Sequence, residues 1–235
     1  MSEKKIIDYL QSPRSITIGT RILRPVILSD SKGGYLKGKI LHPEDRQFVW
    51  WNKTGTTIER ELYWLGEHIH DKIRELGDIY LYIWLGTCNL TKKNKDGTIS
   101  LTSQQPNAAI HIFTELIKFQ ELFVPYPNSR TTIVEIPNYS ITNWNNKVKG
   151  QQSDDRLNED KELHAQIDQL NESIHQFNSS SGVQSPLLNL HTKASKQAKR
   201  GRNKPRKQYT NYQLYADDIH PKRMLAKAWL ADFSQ

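Results

Sequence analysis

Seven consecutive residues, Ile79-Tyr80-Leu81-Tyr82-Ile83-Trp84-Leu85, carry neither a charge nor a break. The run is far too short to span a bilayer. It is rich in β-branched and aromatic residues and apolar on both faces that a strand presents. Only a strand covered from both sides tolerates that pattern. Gly77-Asp78 closes a helical pattern before it, and Gly86 follows it. Such a strand belongs at the centre of a parallel sheet with helices on either face.

The rest of the chain supplies partners for it. Residues 25–28 read as a short buried strand that runs into Ser29-Asp30-Ser31-Lys32-Gly33-Gly34. Residues 47–51 read as another strand, and residues 131–136 as one stopped by Pro137. A last strand is predicted over 187–190 and an edge strand over 16–18. Between them lie helical stripes: Ile58, Leu62, Leu65, Ile69, Ile73 and Leu76; then Ala108, Ile112, Leu116 and Phe119; then Leu163, Ile167, Leu170, Ile174 and Phe177. A closing helix carries Met224, Leu225, Ala228, Trp229 and Leu230. Residues 91–102, polar around Lys95-Asp96-Gly97, form an excursion. Trp50, Trp51, Trp84 and Trp229 fall in these elements and are expected in the core. Strands alternating with helices give a three-layer α/β/α arrangement with a central, mainly parallel sheet. It is read as a single domain over 1–235.

Composition narrows the function classes. The chain holds 235 residues, enough to bury a core, and a single cysteine, which rules out an intrachain disulfide or a cysteine-cluster metal site. Its first residues lack an apolar leader segment, so an intracellular, cytoplasmic protein is the default expectation. His68 and His70 lie two apart on a predicted helix and face different ways, and the other histidines show no ligand spacing. No metal and no cofactor are expected.

The formal net charge of +8 is concentrated in one place. Lys193, Lys196, Lys199, Arg200, Arg202, Lys204, Arg206 and Lys207 are eight positive charges with no acid among them; the other 25 Lys and Arg equal the 25 Asp and Glu. Residues 193–207 read as a solvated loop, and alternatively as a patch for nucleic acid or nuclear import. Lys199, Arg200, Arg202, Lys204, Arg206 and Lys207 are the candidate polyanion contacts. Tyr209, Tyr212 and Tyr215 follow the run without interleaving with it, so no stacking platform is evident.

Three predicted strands end in small polar loops: Ser29-Asp30-Ser31, Lys53-Thr54-Gly55-Thr56 and Gly86-Thr87-Cys88-Asn89. In a parallel sheet such loops share one edge, where ligands bind. A fourth piece, Tyr215-Ala216-Asp217-Asp218-Ile219-His220-Pro221, precedes the last helix. An Asp three residues before a His can bond its Nδ1, leaving Nε2 to take a proton from a serine hydroxyl. Ser31 alone would read as a helix cap; with Asp217 and His220 it reads as a nucleophile.

These four blocks, in this order, resemble those of the SGNH (GDSL-type) hydrolases from about residue 24 to 232. Ser29-Asp30-Ser31 is similar to the family's Gly-Asp-Ser, Gly55 to its second-block glycine, Gly86-Thr87-Cys88-Asn89 to its Gly-x-Asn-Asp, and Asp217-x-x-His220 to its Asp-x-x-His. The resemblance implies a flavodoxin-like sheet and hydrolysis of a small-molecule ester without a cofactor. Ser31, His220 and Asp217 would form the triad, and the N–H groups of Ser31 and Gly55 the oxyanion hole. Two positions depart from the pattern. Ser29 replaces a glycine, which matters only if that position needs a positive φ. A gapless register puts Cys88 where the family has its oxyanion-hole Asn, and a thiol is a weak donor; a one-residue bulge would bring in Asn89 instead. The altered block and the basic run leave a second reading open: a catalytically weak or inactive domain that binds nucleic acid, as an accessory protein of a mobile element or virus. Residues 137–144 read either as a wall of the substrate pocket or as an ordered surface loop.

Overall fold

A computed structural model describes residues 1–13, 23–39, 43–150, 157–196 and 207–234. In chain order the elements are helix α1 (Glu3–Gln11), strand β1 (Arg24–Ser29), helix α2 (Ser31–Leu36), strand β2 (Val49–Asn52), helix α3 (Ile58–Leu76), strand β3 (Ile79–Trp84) and a single helical turn α4 (Thr87–Leu90). A hairpin of β4 (Thr91–Lys93) and β5 (Ile99–Leu101) comes next, then α5 (Ala108–Leu122), β6 (Arg130–Ile133), α6 (Ile141–Lys149), α7 (Leu157–Ser180) and α8 (Asn189–Thr192). Strands β7 (Lys193–Lys196) and β8 (Lys207–Thr210) and helix α9 (Arg223–Phe233) complete the described chain.

Four strands form the main sheet in the order β2-β1-β3-β6, all parallel. The expected α/β/α architecture follows from how their side chains divide. Val26 and Leu28 of β1 and Leu81 and Ile83 of β3 face one core, where they meet Ile58 and Leu65 of α3, Leu116 and Phe119 of α5, and Leu163, Ile167, Leu170 and Ile174 of α7. Ile27 and Trp84 face the other core, with Ile6 of α1, Leu36 of α2 and Leu225, Trp229 and Phe233 of α9. Successive strand residues point to opposite faces, so a run apolar throughout fills both layers. Trp84 and Trp229 are fully buried and meet edge to face, while Trp50 and Trp51 are half-buried against the two cores.

Three expectations need correction. Residues 187–190 form no strand, because α8 begins at Asn189. The end of β6 and the extended segment beyond it are instead met by side-chain amides. Asn178 accepts from Ile133 N–H at 3.3 Å and donates to Ile133 C=O at 2.7 Å. Asn171 does the same for Ile136, at 2.8 and 2.9 Å. Asn189 accepts from Asn138 N–H at 3.0 Å and donates to Ile136 C=O at 3.1 Å. These amides satisfy backbone groups that a fifth strand would otherwise pair. The excursion at 91–102 is the antiparallel β4–β5 hairpin. The ends of the basic run are not loop either: Lys193–Lys196 pairs antiparallel with Lys207–Thr210. Lys199, Arg200, Arg202, Lys204 and Arg206 lie outside the described residues, as does the side chain of Lys207 and the edge strand expected at 16–18.

Candidate active site

Ser29 sits opposite both Asn52 and Trp84, so β1, β2 and β3 end in one row and their loops emerge together. Ser29 C=O accepts from Lys53 N–H at 3.0 Å, which ties the first loop to the second. Gly33 shows how closely they approach: a Cβ there would lie 3.2 Å from the Asn52 Cβ and well inside contact distance of the Ser29 hydroxyl. Ser29 itself lacks a positive φ; among the described non-glycine residues only Asp218 has one. Serine in place of the family's glycine therefore strains nothing.

Asp30 takes the capping role that Ser31 alone would have suggested. Its carboxylate accepts from Lys32 N–H at 2.9 Å and starts α2, leaving Ser31 as the first helical residue. The same carboxylate pairs with the Lys32 ammonium, and both groups are buried. Lys32 Nζ also donates to the Thr87 hydroxyl, clamping the turn that carries Ser31 to the third loop.

The structure brings Ser31, His220 and Asp217 together. Ser31 Oγ is 2.7 Å from His220 Nε2, and His220 Nδ1 is 2.7 Å from Asp217 Oδ2. A carboxylate can only accept, so Nδ1 carries the proton and Nε2 accepts the Ser31 O–H. Asp217 Oδ1 also accepts from the N–H groups of Ile219 at 3.2 Å and His220 at 2.7 Å. Burial works to raise the Asp217 carboxyl, but these bonds, led by the one from the His220 imidazole, hold it below its ordinary value. It stays an anion at neutral pH.

Two rings enclose His220: Tyr35, which sequence reasoning missed, and Trp144, from the 137–144 segment read as a possible pocket wall. Tyr35 stacks on the imidazole with centroids 4.4 Å apart and planes 14° apart. Trp144 of α6 meets it edge-on at 6.5 Å. Tyr35 lies one helical turn beyond Ser31, and that spacing was the signal that could have placed it on the same face. Residues 138–141 are buried and α6 begins at Ile141, so this segment is no surface loop.

Gly55 lies in the turn after β2, exposed, with φ +70°. Asn89 is occupied elsewhere. Its Oδ1 accepts from Ile58 N–H at 3.1 Å, and its Nδ2 donates to both Glu59 carboxylate oxygens, at 2.9 and 3.1 Å. It caps α3, whose N-cap residue Thr57 makes no side-chain cap bond. The structure therefore does not bring the Asn89 amide to Ser31. Cys88 is half-buried, and burial, with the nearby Asp30 carboxylate, pushes its thiol up. It is kept a neutral thiol, not an activated thiolate.

No family model matches the sequence, and no curated protein matches it. Solved structures share its fold. A GDSL-like lipase from Bacteroides thetaiotaomicron superposes with a TM-score of 0.57 at 13% identity, over 97% of this chain and 93% of that one. A candidate SGNH hydrolase from Slackia heliotrinireducens gives 0.53 at 10% identity, over 92% and 100%. A lipase/acylhydrolase from Enterococcus faecalis gives 0.50 at 11% identity, over 89% and 94%. The fold is thus the α/β fold of the SGNH and GDSL hydrolases. Among the described residues no helix is long and apolar enough to cross a membrane.

Proposed function

We propose that the protein is a serine esterase of the SGNH type, acting on a carboxylic ester. The Ser31–His220–Asp217 relay, with both links at 2.7 Å, carries this reading. Ser31 Oγ attacks the acyl carbon while His220 Nε2 takes its proton. Asp217 holds the imidazole in the tautomer that makes this possible and stabilises the imidazolium. The negative oxygen of the tetrahedral intermediate faces the N–H groups of Ser31 and Gly55. Collapse expels the alcohol, which receives the proton from His220. Water, activated by the same imidazole, then frees the acid and restores Ser31. Asn89 enters this scheme only if it gives up its bonds to Glu59. The likeness to lipases and acylhydrolases supports the reaction class, and the substrate proposed is a small-molecule ester.

Hydrolysis of a short-chain p-nitrophenyl ester tests the proposal. Ser31→Ala and His220→Ala should each lower kcat by roughly 10³-fold or more. Native protein, but not Ser31→Ala, should take up one fluorophosphonate label. Native protein that neither turns over such esters nor takes the label would sink the reading. The alternative of nucleic-acid binding through Lys199–Lys207 rests on the charge of a run whose side chains lie outside the described residues, and nothing among the described residues favours it.

A further inference from the structure

The segment carrying Asp217 and His220 is held by a helix that the proposed chemistry does not use. Its own hydrogen bonds close it at the base: Ala216 N–H donates to His220 C=O at 2.7 Å, and Lys222 N–H to Leu214 C=O at 2.9 Å. Its tip leans on α6. The N-cap residue Ser140 donates its N–H to Asp218 C=O at 3.4 Å. Asn143 Nδ2 lies 3.4 Å from Asp218 Oδ1. Trp144 edges onto the His220 ring. Lys147 Nζ donates to Ala216 C=O at 2.8 Å and pairs with Asp218 Oδ2 at 3.1 Å. Residues 140, 143, 144 and 147 recur at three- and four-residue spacing, so they form one face of α6. That face grips the loop from Ala216 to His220.

Asp218 stands out within the loop. It has φ +69°, a conformation that glycine adopts freely and that aspartate tolerates at a cost. Its side chain is only 10% exposed, although it is a carboxylate. A strained, nearly buried carboxylate between Asp217 and His220 needs a compensating role. Lys147 and Asn143 supply its partners. The Lys147 side chain is 53% exposed, so as an isolated surface pair it would contribute little. Here the ammonium bridges two acceptors on the same loop. Its removal leaves a nearly buried carboxylate with one long hydrogen bond, and breaking such a pair costs more than forming it gains.

We infer that Lys147 and Asp218 are positioning residues: their ion pair latches the loop to α6 and so holds His220 against Ser31. The inference rests on the esterase reading for its catalytic half, while the restraint of the loop stands on the contacts alone. Neither residue touches the reacting atoms. Their loss should misplace the imidazole and act on kcat, not on ester binding.

The test compares native protein with Lys147→Met, Lys147→Arg, Asp218→Asn and the Met/Asn double variant. Asparagine also tolerates positive φ, so Asp218→Asn removes the charge without adding backbone strain. Two readouts are needed: hydrolysis of a p-nitrophenyl ester, and hydrogen–deuterium exchange of amides 215–221 with those of β3 as the internal reference. Lys147→Met and Asp218→Asn should each lower kcat by about tenfold with KM changed by less than about twofold, as small misplacements do. The double variant should be no worse than the poorer single one, because both break the same contact. Lys147→Arg should recover most of the loss. Exchange at 215–221 should quicken while β3 stays protected. Unchanged exchange in both single variants overturns the latch; faster exchange with unchanged kcat overturns its role in positioning. If the native protein hydrolyses no ester, the esterase reading falls separately and the exchange result alone decides the restraint.

Discussion

At the scale of single residues, the proposed oxyanion hole turns on the third loop. The sequence resemblance, read without a gap, would put Cys88 where the SGNH pattern has an amide, and the neighbouring Asn89 is committed to α3 through Glu59 and Ile58. One oxyanion donor is worth roughly 10²–10³ in rate. Cys88→Asn should therefore raise kcat for a p-nitrophenyl ester, by about tenfold if the new amide is only partly aligned. Asn89→Ala should leave kcat nearly unchanged and instead destabilise the start of α3, seen as a lower thermal midpoint. Asp217 gives a second prediction, of sign. Its carboxyl is depressed in the folded state, so it stabilises the fold above the ordinary carboxylate range. That contribution is lost as pH falls through the depressed value. Unfolding titrations between about pH 6 and pH 3 should find native protein losing more stability than Asp217→Asn. The Ser31–His220–Asp217 arrangement was legible because aspartate and histidine three apart constrain each other locally. The fate of Asn89 was not, since it depends on an unsatisfied N–H at residue 58 that only tertiary packing brings near.

At the scale of elements, α7 does the work of a strand. Asn178 is nearly fully buried and satisfies both backbone groups of Ile133. Asn178→Ala would leave a buried donor and a buried acceptor without partners. Each such group costs about 1–3 kcal/mol, and partial relaxation should bring the measured loss to about 2–4 kcal/mol in a denaturant titration. Asn178→Asp keeps the acceptor for Ile133 N–H but not the donor for Ile133 C=O, and should fall short of full recovery. The sequence pattern marked α3, α5 and α7 well, because their apolar stripes repeat over several turns. It misled at 187–190, where three leucines around Asn189 mimic a buried strand. Short apolar runs do not distinguish strand from helix, and here the asparagines had already occupied the sheet edge. The hairpin β4–β5 escaped for a related reason: each of its strands has three residues, too few to show alternation.

At the scale of the whole molecule, both cores share one thin sheet. Val26 and Leu28 serve one layer while Ile27 between them serves the other. Neither layer can come apart without stripping one side of β1 and β3. Unfolding should therefore be a single event, even though chains above about 150 residues often populate intermediates. Tryptophan fluorescence samples both layers, through Trp50, Trp84 and Trp229 on the α9 side and Trp51, Trp64 and Trp144 on the other, while far-UV circular dichroism is weighted toward the long helices α3, α5 and α7. Their denaturant midpoints should coincide, and separated midpoints would show two units. Phe119→Ala in one layer and Phe233→Ala in the other should each cost about 3–5 kcal/mol and shift both probes together.

The asparagine cover on β6 also bears on how this chain meets other chains. An uncovered outer strand offers a row of backbone groups on which a foreign strand can grow. Here those of Ile133 and Ile136 already hold side-chain amides from the same polypeptide. A second copy approaching there must displace Asn171 and Asn178 from buried positions before it can pair with Ile133 or Ile136, so strand addition at that end of the edge is opposed without a charge or a proline to repel it.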